Sequence, residues 1–327
     1  MSSSDLDIDL FTFVIFEIKS SLTSDGQRSE KFFRKDYHYL DGPKSFYKIH
    51  KTYENWIDAK NLCKLEGASL FYPENESETD AVIEFWNRTE SHNNFDWIYV
   101  GISSRFAKNT FTTTEGRSIY DFQMQWAAWE PNNSTGFDDC TVFSKSRKTI
   151  YDDICTKTLP FICKKTLASL DWNERCSGPD NGFIYNDTLD KCYKFHGTPM
   201  SWRDAYAVCY HEQSYLAIAD SQDEADFFTT FIEEGGTILE YSLAISDSYD
   251  EALWLGFQNI YGEGWITVKD TPVKVLGDDR KDTWLRRLNI RDCGYISKDG
   301  SLGLMYCTLA RPFICELDTT SLNNRYV

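Results

Sequence analysis

The sequence predicts an α+β fold built twice along one chain of 327 residues. Three observations carry that prediction: a repeated set of anchors, cysteines in register with them, and strands that follow helices in each copy. Tyr47-Lys48-Ile49-His50, Trp56-Ile57-Asp58-Ala59 and Cys63 recur as Tyr193-Lys194-Phe195-His196, Trp202-Arg203-Asp204-Ala205 and Cys209, 146 residues further on. Both copies also close alike, from Cys155-Thr156 to Pro160-Phe161-Ile162-Cys163 and from Cys307-Thr308 to Pro312-Phe313-Ile314-Cys315. Shared spacing at both ends marks two copies of one folding unit.

The elements follow in order. Residues 1–41 read as a polar leader, mobile or carrying a short strand. Residues 45–49 read as a strand feeding a helix that Asn55 caps, with Trp56, Ala59, Leu62 and Cys63 on one face and Gly67 as the stop. A second helix is expected from Ser77, with Asp80 three residues on, burying Ala81, Val82, Phe85 and Trp86. Strand-like segments come next: residues 97–102, the region of Trp126 and Trp129, residues 141–143 and residues 161–163. In the second copy Ser201 caps the first helix, and Ser221 with Glu224 opens the next. The stretch from there to Trp254-Leu255-Gly256 is longer and holds Gly235-Gly236. Cys176 and Cys192 bracket an N-terminal hairpin. These boundaries give a leader (1–41), a first domain (42–165), a linker (166–175), a second domain (176–316) and a tail (317–327).

A formal charge of −17 argues against nucleic acid and anionic membrane surfaces as partners, because both require basic patches. The acidic balance serves solubility, and some carboxylates are candidates to hold a hard cation. No stretch reaches the roughly 20 apolar residues of a membrane span. All ten cysteines fall within the two copies and none forms a Cys-x-x-Cys pair, which points to five disulfides and an oxidising, extracellular compartment. The visible start is a poor signal peptide: Asp5, Asp7 and Asp9 precede the short apolar run at residues 10–16.

The helix cysteine, the Trp97-Ile98-Tyr99-Val100-Gly101 and Trp254-Leu255-Gly256 segments and the closing Pro-Phe-Ile-Cys together resemble the C-type lectin domain, present twice. With Phe71-Tyr72-Pro73-Glu74-Asn75 and Phe95-Asp96-Trp97, the tandem looks like the two-domain immulectins of insects, moths and butterflies especially. The resemblance implies disulfides Cys63–Cys163, Cys140–Cys155, Cys176–Cys192, Cys209–Cys315 and Cys293–Cys307. It also implies a secreted pattern-recognition lectin of innate immunity that binds microbial surface glycans.

Glu130-Pro131-Asn132 is where the chemistry concentrates. Calcium takes six to eight oxygen ligands, several of them carboxylates. In the family this Glu and Asn bind Ca²⁺ across a cis proline and also meet two vicinal sugar hydroxyls, each of which donates to an acid and accepts from an amide. Their order is the one associated with mannose-type sugars. Asp138 matches the family's next acidic ligand. Counting back from Cys155 places Tyr151 at the following Asn position and Asp152 at the Asp position, whereas a one-residue slip offers Asp152 and Asp153. The site is therefore read as Glu130, Asn132, Asp138 and Asp152, with Asp153 as a helper. An ordinary acidic turn at Tyr151-Asp152-Asp153 is the plainer alternative. Asn133 and Asp139 lie where some members hold an auxiliary calcium. Trp126 and Trp129 are expected in the core rather than under a sugar. N-glycosylation signals stand at Asn75, Asn87, Asn132, Asn133 and Asn186, and a glycan on Asn132 would remove a ligand.

The second copy lacks this set. Trp284-Leu285-Arg286-Arg287-Leu288-Asn289 replaces Glu-Pro-Asn, Arg291 replaces the ligand acid, and Gly303-Leu304-Met305-Tyr306 precedes Cys307 without an acid. Asp278-Asp279-Arg280-Lys281-Asp282 reads as a solvated loop. This domain is expected to bind protein, to bind glycan without calcium, or to act as a rigid partner. Loss of sugar binding in both copies, leaving a protein-interaction module, is the rival reading. An enzyme is not expected. The five histidines (His38, His50, His92, His196, His211) accompany no nucleophile motif, and His50 and His196 are repeat equivalents, as scaffold residues would be.

Overall fold

The computed structural model describes residues 33–89, 95–176, 178–179, 182–239, 252–259, 264–273 and 292–319. The first copy runs β1 (His38–Leu40), β2 (Ser45–Glu54), α1 (Trp56–Leu65), β3 (Ser69–Leu70), α2 (Glu76–Thr89), β4 (Trp97–Ser103), β5 (Thr112–Thr113), β6 (Cys140–Ser144), β7 (Thr149–Asp153) and β8 (Leu159–Thr166). A short hairpin, β9 (Trp172–Asn173) and β10 (Gly178–Pro179), leads to the second copy. That copy comprises β11 (Ile184–Asn186), β12 (Lys191–Met200), α3 (Trp202–His211), β13 (Tyr215–Leu216), α4 (Gln222–Leu239), β14 (Ala252–Gln258), β15 (Ile266–Thr267), β16 (Asp292–Ser297), β17 (Leu302–Tyr306) and β18 (Arg311–Asp318).

The two sheets have the same topology, β1-β2-β8-β4-β6-β7 and β11-β12-β18-β14-β16-β17. In each, the first long strand pairs antiparallel with the last, and one parallel contact joins the last strand to the middle of the sheet. The long disulfides Cys63–Cys163 and Cys209–Cys315 tie the first helix of each copy to its closing strand. Cys140–Cys155 and Cys293–Cys307 clamp the far edge, and Cys176–Cys192 pins the start of the second copy. Loops of this length lose substantial unfolded-state entropy when closed.

Local chemistry explains the helix starts. Asn55 accepts from the backbone N–H of Ile57 and Asp58, and Ser201 accepts from that of Asp204. The second helix begins one residue earlier than the Ser77 pattern predicts. Its cap is Asn75, whose side chain accepts from Glu78 N at 2.9 Å, while Glu78 itself reaches back to Glu74 N at 2.9 Å. The return carboxylate is thus Glu78 rather than Asp80. α4 continues through Gly235-Gly236 to Leu239, so those glycines lie within the helix rather than in the segment after it. Trp126 and Trp129 lie outside the strands. Only Trp126 touches the sheet, through one bridge to Ile150. The packed chain also starts sooner than residue 42: Phe33 and Tyr37 belong to the core around Trp56 and Phe161.

The repeated anchors have repeated jobs. Trp56 Nε1 donates to the Val100 carbonyl oxygen, and Trp202 Nε1 to that of Leu255, both at 2.8 Å. His50 and His196 stack on Phe161 and Phe313 with ring centroids 4.5 and 4.6 Å apart. Each also meets a buried glutamate at the C-terminal end of the helix that follows it, Glu66 at 3.1 Å and Glu212 at 3.0 Å. Glu66 takes further bonds from Lys48 (2.5 Å) and Tyr37 (2.7 Å), and Glu212 from Lys194 (2.6 Å). These two His–Glu pairs lie beside Cys163 and Cys315, but both sulfurs are in disulfides and cannot bind metal.

The same corner joins the copies. Leu65 of α1 packs on the core of the second copy, His211 Nδ1 lies 3.6 Å from Glu66, and Arg34 donates to the His211 carbonyl oxygen. Burial opposes the charge on Glu66, yet hydrogen bonds from His211 and His50 hold its carboxyl far below the usual range.

Gly101 and Gly256, the glycines of the Trp-Ile-Tyr-Val-Gly and Trp-Leu-Gly segments, mark a close crossing of backbones. A Cβ on either would collide with the carbonyl oxygen of Leu70 or Leu216. Gly101→Ala and Gly256→Ala should each destabilise their domain by about 2–3 kcal/mol, read by thermal unfolding monitored by near-UV circular dichroism. An unchanged melting temperature would show that the crossing is loose.

Candidate functional site

The site grows from the edge strand β7 and the long connection that precedes β6. Gln125 and Ala127 exchange backbone hydrogen bonds with Ile150, at 3.1 and 3.0 Å, so the connection runs alongside β7 before it turns away. The turn brings Glu130, cis-Pro131 and Asn132 above the next residues of the strand. Side chains alternate along β7. Ile150 is buried in the core, and Asp152 meets the turn.

Asp152 makes the decisive contacts. One of its oxygens accepts from Asn132 N at 3.0 Å and the other from Asn133 N at 2.6 Å. Glu130 accepts from Asn132 as well, from the amide Nδ2 at 2.9 Å and from the backbone N at 3.2 Å. Glu130, Asn132 and Asp152 therefore form one hydrogen-bonded group, with the acid and amide of the Glu-Pro-Asn turn side by side. Burial and the neighbouring Asp152 carboxylate push the Glu130 carboxyl from 4.5 up to about 7, and Asp138 adds to the push.

Asp138 sits almost fully buried at the other end of the loop. Its carboxylate accepts from Thr135 N (2.8 Å), Thr135 Oγ1 (2.6 Å) and Ser134 Oγ (3.3 Å). Burial works against its charge, but these bonds keep its pKa below the ordinary range. Its own backbone N–H donates to Asn133 Oδ1 at 3.2 Å, closing the loop. Asp139 instead braces the connection to β4 by accepting from Ser104 Oγ at 3.0 Å. Asp153 is paired with Lys157, at 2.6 and 2.9 Å, away from the Glu-Pro-Asn turn.

Tyr151 packs edge-on against Trp97, with centroids 4.9 Å apart, and its hydroxyl accepts from Arg147 at 2.9 Å. Hydrogen bonds from Thr149 and Arg147 lower its pKa. It acts as a cover over the sheet and supplies no amide ligand. Trp126 is partly buried against Phe111, but Trp129 stands 93% exposed, contrary to the core placement expected of it. The missed signal was its position immediately before the turn, in a loop rather than a strand.

The donors Glu130, Asn132, Asp138 and Asp152 are all oxygen-bearing, and two of their carboxylates stand close enough to repel. That set suits a hard divalent cation, with Tyr151 as its one departure.

The second copy can be compared through strand register. Cys140 faces Asp153 and Thr141 faces Asp152 across β6 and β7, while Cys293 faces Met305 and Gly294 faces Leu304 across β16 and β17. Leu304 therefore holds the place of Asp152, and it is buried in the apolar cluster with Phe228 and Phe257. The residues read as replacing Glu-Pro-Asn, together with Arg291 and the 278–282 loop, lie outside the described residues.

The family model for the lectin C-type domain matches residues 52–165 and 198–317, and the chain belongs to that family, in tandem. C-type lectin domains are generally non-enzymatic and typically bind calcium. The chain is 29% identical over 127 residues to the hemolymph lipopolysaccharide-binding protein of Periplaneta americana, covering 37% of this chain and 49% of that protein. It is 25% identical over 125 residues to C-type lectin 37Db of Drosophila melanogaster, covering 38% and 78%. The match thus spans about half the length of the cockroach protein. Among solved structures it is similar to the C-type lectin CEL-I from Cucumaria echinata, at 18% identity and a TM-score of 0.36, covering 41% of this chain and 96% of that one. Among the described residues no helix is long and apolar enough to cross a membrane.

A raised acid pKa fixes the sign of a pH effect. In calcium-free buffer the folded state binds the Glu130 proton more tightly than the unfolded chain does, so stability falls as pH rises from about 4.5 through about 7. Thermal unfolding in EDTA between pH 4.5 and 8 should show that decline for the wild type. Asp152→Asn, which removes the neighbouring charge, should flatten it. Parallel curves for the two proteins would contradict the assignment.

Proposed function

We propose that this protein is a secreted, calcium-dependent lectin of mannose-type specificity that recognises microbial surface glycans as a pattern-recognition receptor in innate immunity. The observation that carries this reading is Asp152 bound to the Asn132 and Asn133 backbone, which brings the acid of β7 to the Glu130–Asn132 pair. Glu130, Asn132, Asp138 and Asp152 would hold the calcium, Asp138 after releasing part of its bonding to Ser134 and Thr135. Bound calcium supplies coordination positions for two vicinal hydroxyls. The Glu130 carboxylate accepts a hydrogen bond from one hydroxyl and the Asn132 amide donates to the other.

Support for the immune role is the likeness to the hemolymph lipopolysaccharide-binding protein of an insect. Five disulfides suit an extracellular setting. A single sugar contact is weak, about millimolar, so a repetitive surface and avidity are part of the proposal.

A second reading has its own observation. Leu304 in place of Asp152 makes the second domain a calcium-free module, fitted to a protein partner or to a structural role. Tyr151 extends the same doubt to the first domain, which would make the whole chain a protein-interaction module.

Chromatography of the disulfide-bonded protein on immobilised mannan separates the readings. Retention in calcium, release by EDTA and loss of retention in Glu130→Gln are expected. Folded, unglycosylated protein that passes through the column in calcium would rule out mannan recognition.

A further inference from the structure

Trp129 and Phe137 each stand immediately before an acid of the proposed site, Glu130 and Asp138. Both are open to solvent, at 93% and 76% exposure. Trp129 also has a backbone φ of +69°, a region that bulky side chains rarely occupy. Neither burial nor backbone preference favours a tryptophan there, so its ring is kept for what it meets outside the fold.

The loop between the two rings is closed on itself. Asn132 bonds back to Glu130, Asp138 N donates to Asn133 Oδ1, and Ser134 and Thr135 donate to the Asp138 carboxylate. Trp129 and Phe137 therefore leave opposite ends of one short, braced loop that also carries the acid–amide pair. The exposed residues between them are Pro131, Asn132, Ser134, Thr135 and Gly136, small or polar and without a large apolar side chain. Two separate rings in a polar rim differ from the continuous apolar surface that a protein partner or a second copy of this chain would need. They match a pyranose, which has an apolar C–H face and a hydroxyl-bearing edge.

We propose that Trp129 and Phe137 form an aromatic subsite for the sugar residues flanking the one held at Glu130 and Asn132, so that the first domain selects oligosaccharides over monosaccharides. The subsite rests on the lectin reading above. A saccharide bound there stacks its C–H face on the rings while its neighbour engages the acid–amide pair. Trp129 and Phe137 are then specificity-determining residues that touch the ligand without touching calcium.

The test uses the full disulfide-bonded chain, titrated by calorimetry with calcium alone, with methyl α-mannoside and with a linear α-mannotriose. The double variant Trp129→Ala/Phe137→Ala should keep wild-type affinity for calcium and for the monosaccharide. Its affinity for the trisaccharide should fall about tenfold, towards the monosaccharide level. Trp129→Phe on its own should retain most of the trisaccharide affinity. Unchanged trisaccharide affinity, or an equal loss for both sugars, would overturn the subsite. So would a change confined to self-association in sedimentation. Wild-type protein that takes up calcium but neither sugar, or takes up no calcium, would overturn the lectin reading itself and the subsite with it.

Discussion

The Asp152 carboxylate, bridging the backbone N–H groups of Asn132 and Asn133, is the contact on which the proposed site depends. It fastens a long connection to the edge of the sheet at the point where the chain turns through Glu130-Pro131-Asn132. Without it the loop would keep its ends, through the backbone bonds to Ile150 and the Ser104–Asp139 bonds, but lose its hold on the sheet at the turn itself. A carboxylate that accepts two backbone donors is a strong local restraint. It also sets Asp152 beside Glu130, and their mutual repulsion makes the site receptive to positive charge. Positioning and reactivity have one cause.

The two copies show what the fold requires and what it leaves free. The stacked histidine and buried glutamate, the tryptophan bonded to the backbone, the glycine crossing and the long disulfide occur in both. All lie around the closing strand and the first helix, where sheet and helix must meet. The far edge shares its short disulfides, Cys140–Cys155 and Cys293–Cys307, but differs in what it presents. There one copy places an acid at Asp152 and the other buries Leu304 in its apolar core. The same topology thus supports an edge bearing a carboxylate and an edge filled by hydrocarbon.

Much of this was legible in the sequence, for physical reasons that can be named. Anchors at matching intervals forecast two equal sheets, and Asn55, Ser201 and Ser221 forecast helix starts because short polar side chains satisfy free N–H groups. The pairing of the cysteines came from family likeness, since spacing alone leaves many connectivities open. The loops were harder to read. Asn75 rather than Ser77 caps the second helix because the returning carboxylate is Glu78. Alternation separates Asp152 from Asp153, a distinction that counting back from Cys155 could not make. Trp129 reads with Trp126 as part of a strand-like segment in the core, yet it stands exposed at the turn. Phe33 and Tyr37 belong to the core although a charged leader precedes them.

The central claim is that the first domain takes up calcium through Asp152 and the Glu-Pro-Asn turn. Its most direct test is calcium titration by calorimetry of the wild-type chain and of Asp152→Asn, which preserves shape and removes the charge. The account predicts calcium uptake by the wild type and its loss in the variant, with both proteins folded. Wild-type protein that binds no calcium, or uptake that Asp152→Asn leaves intact, would contradict it.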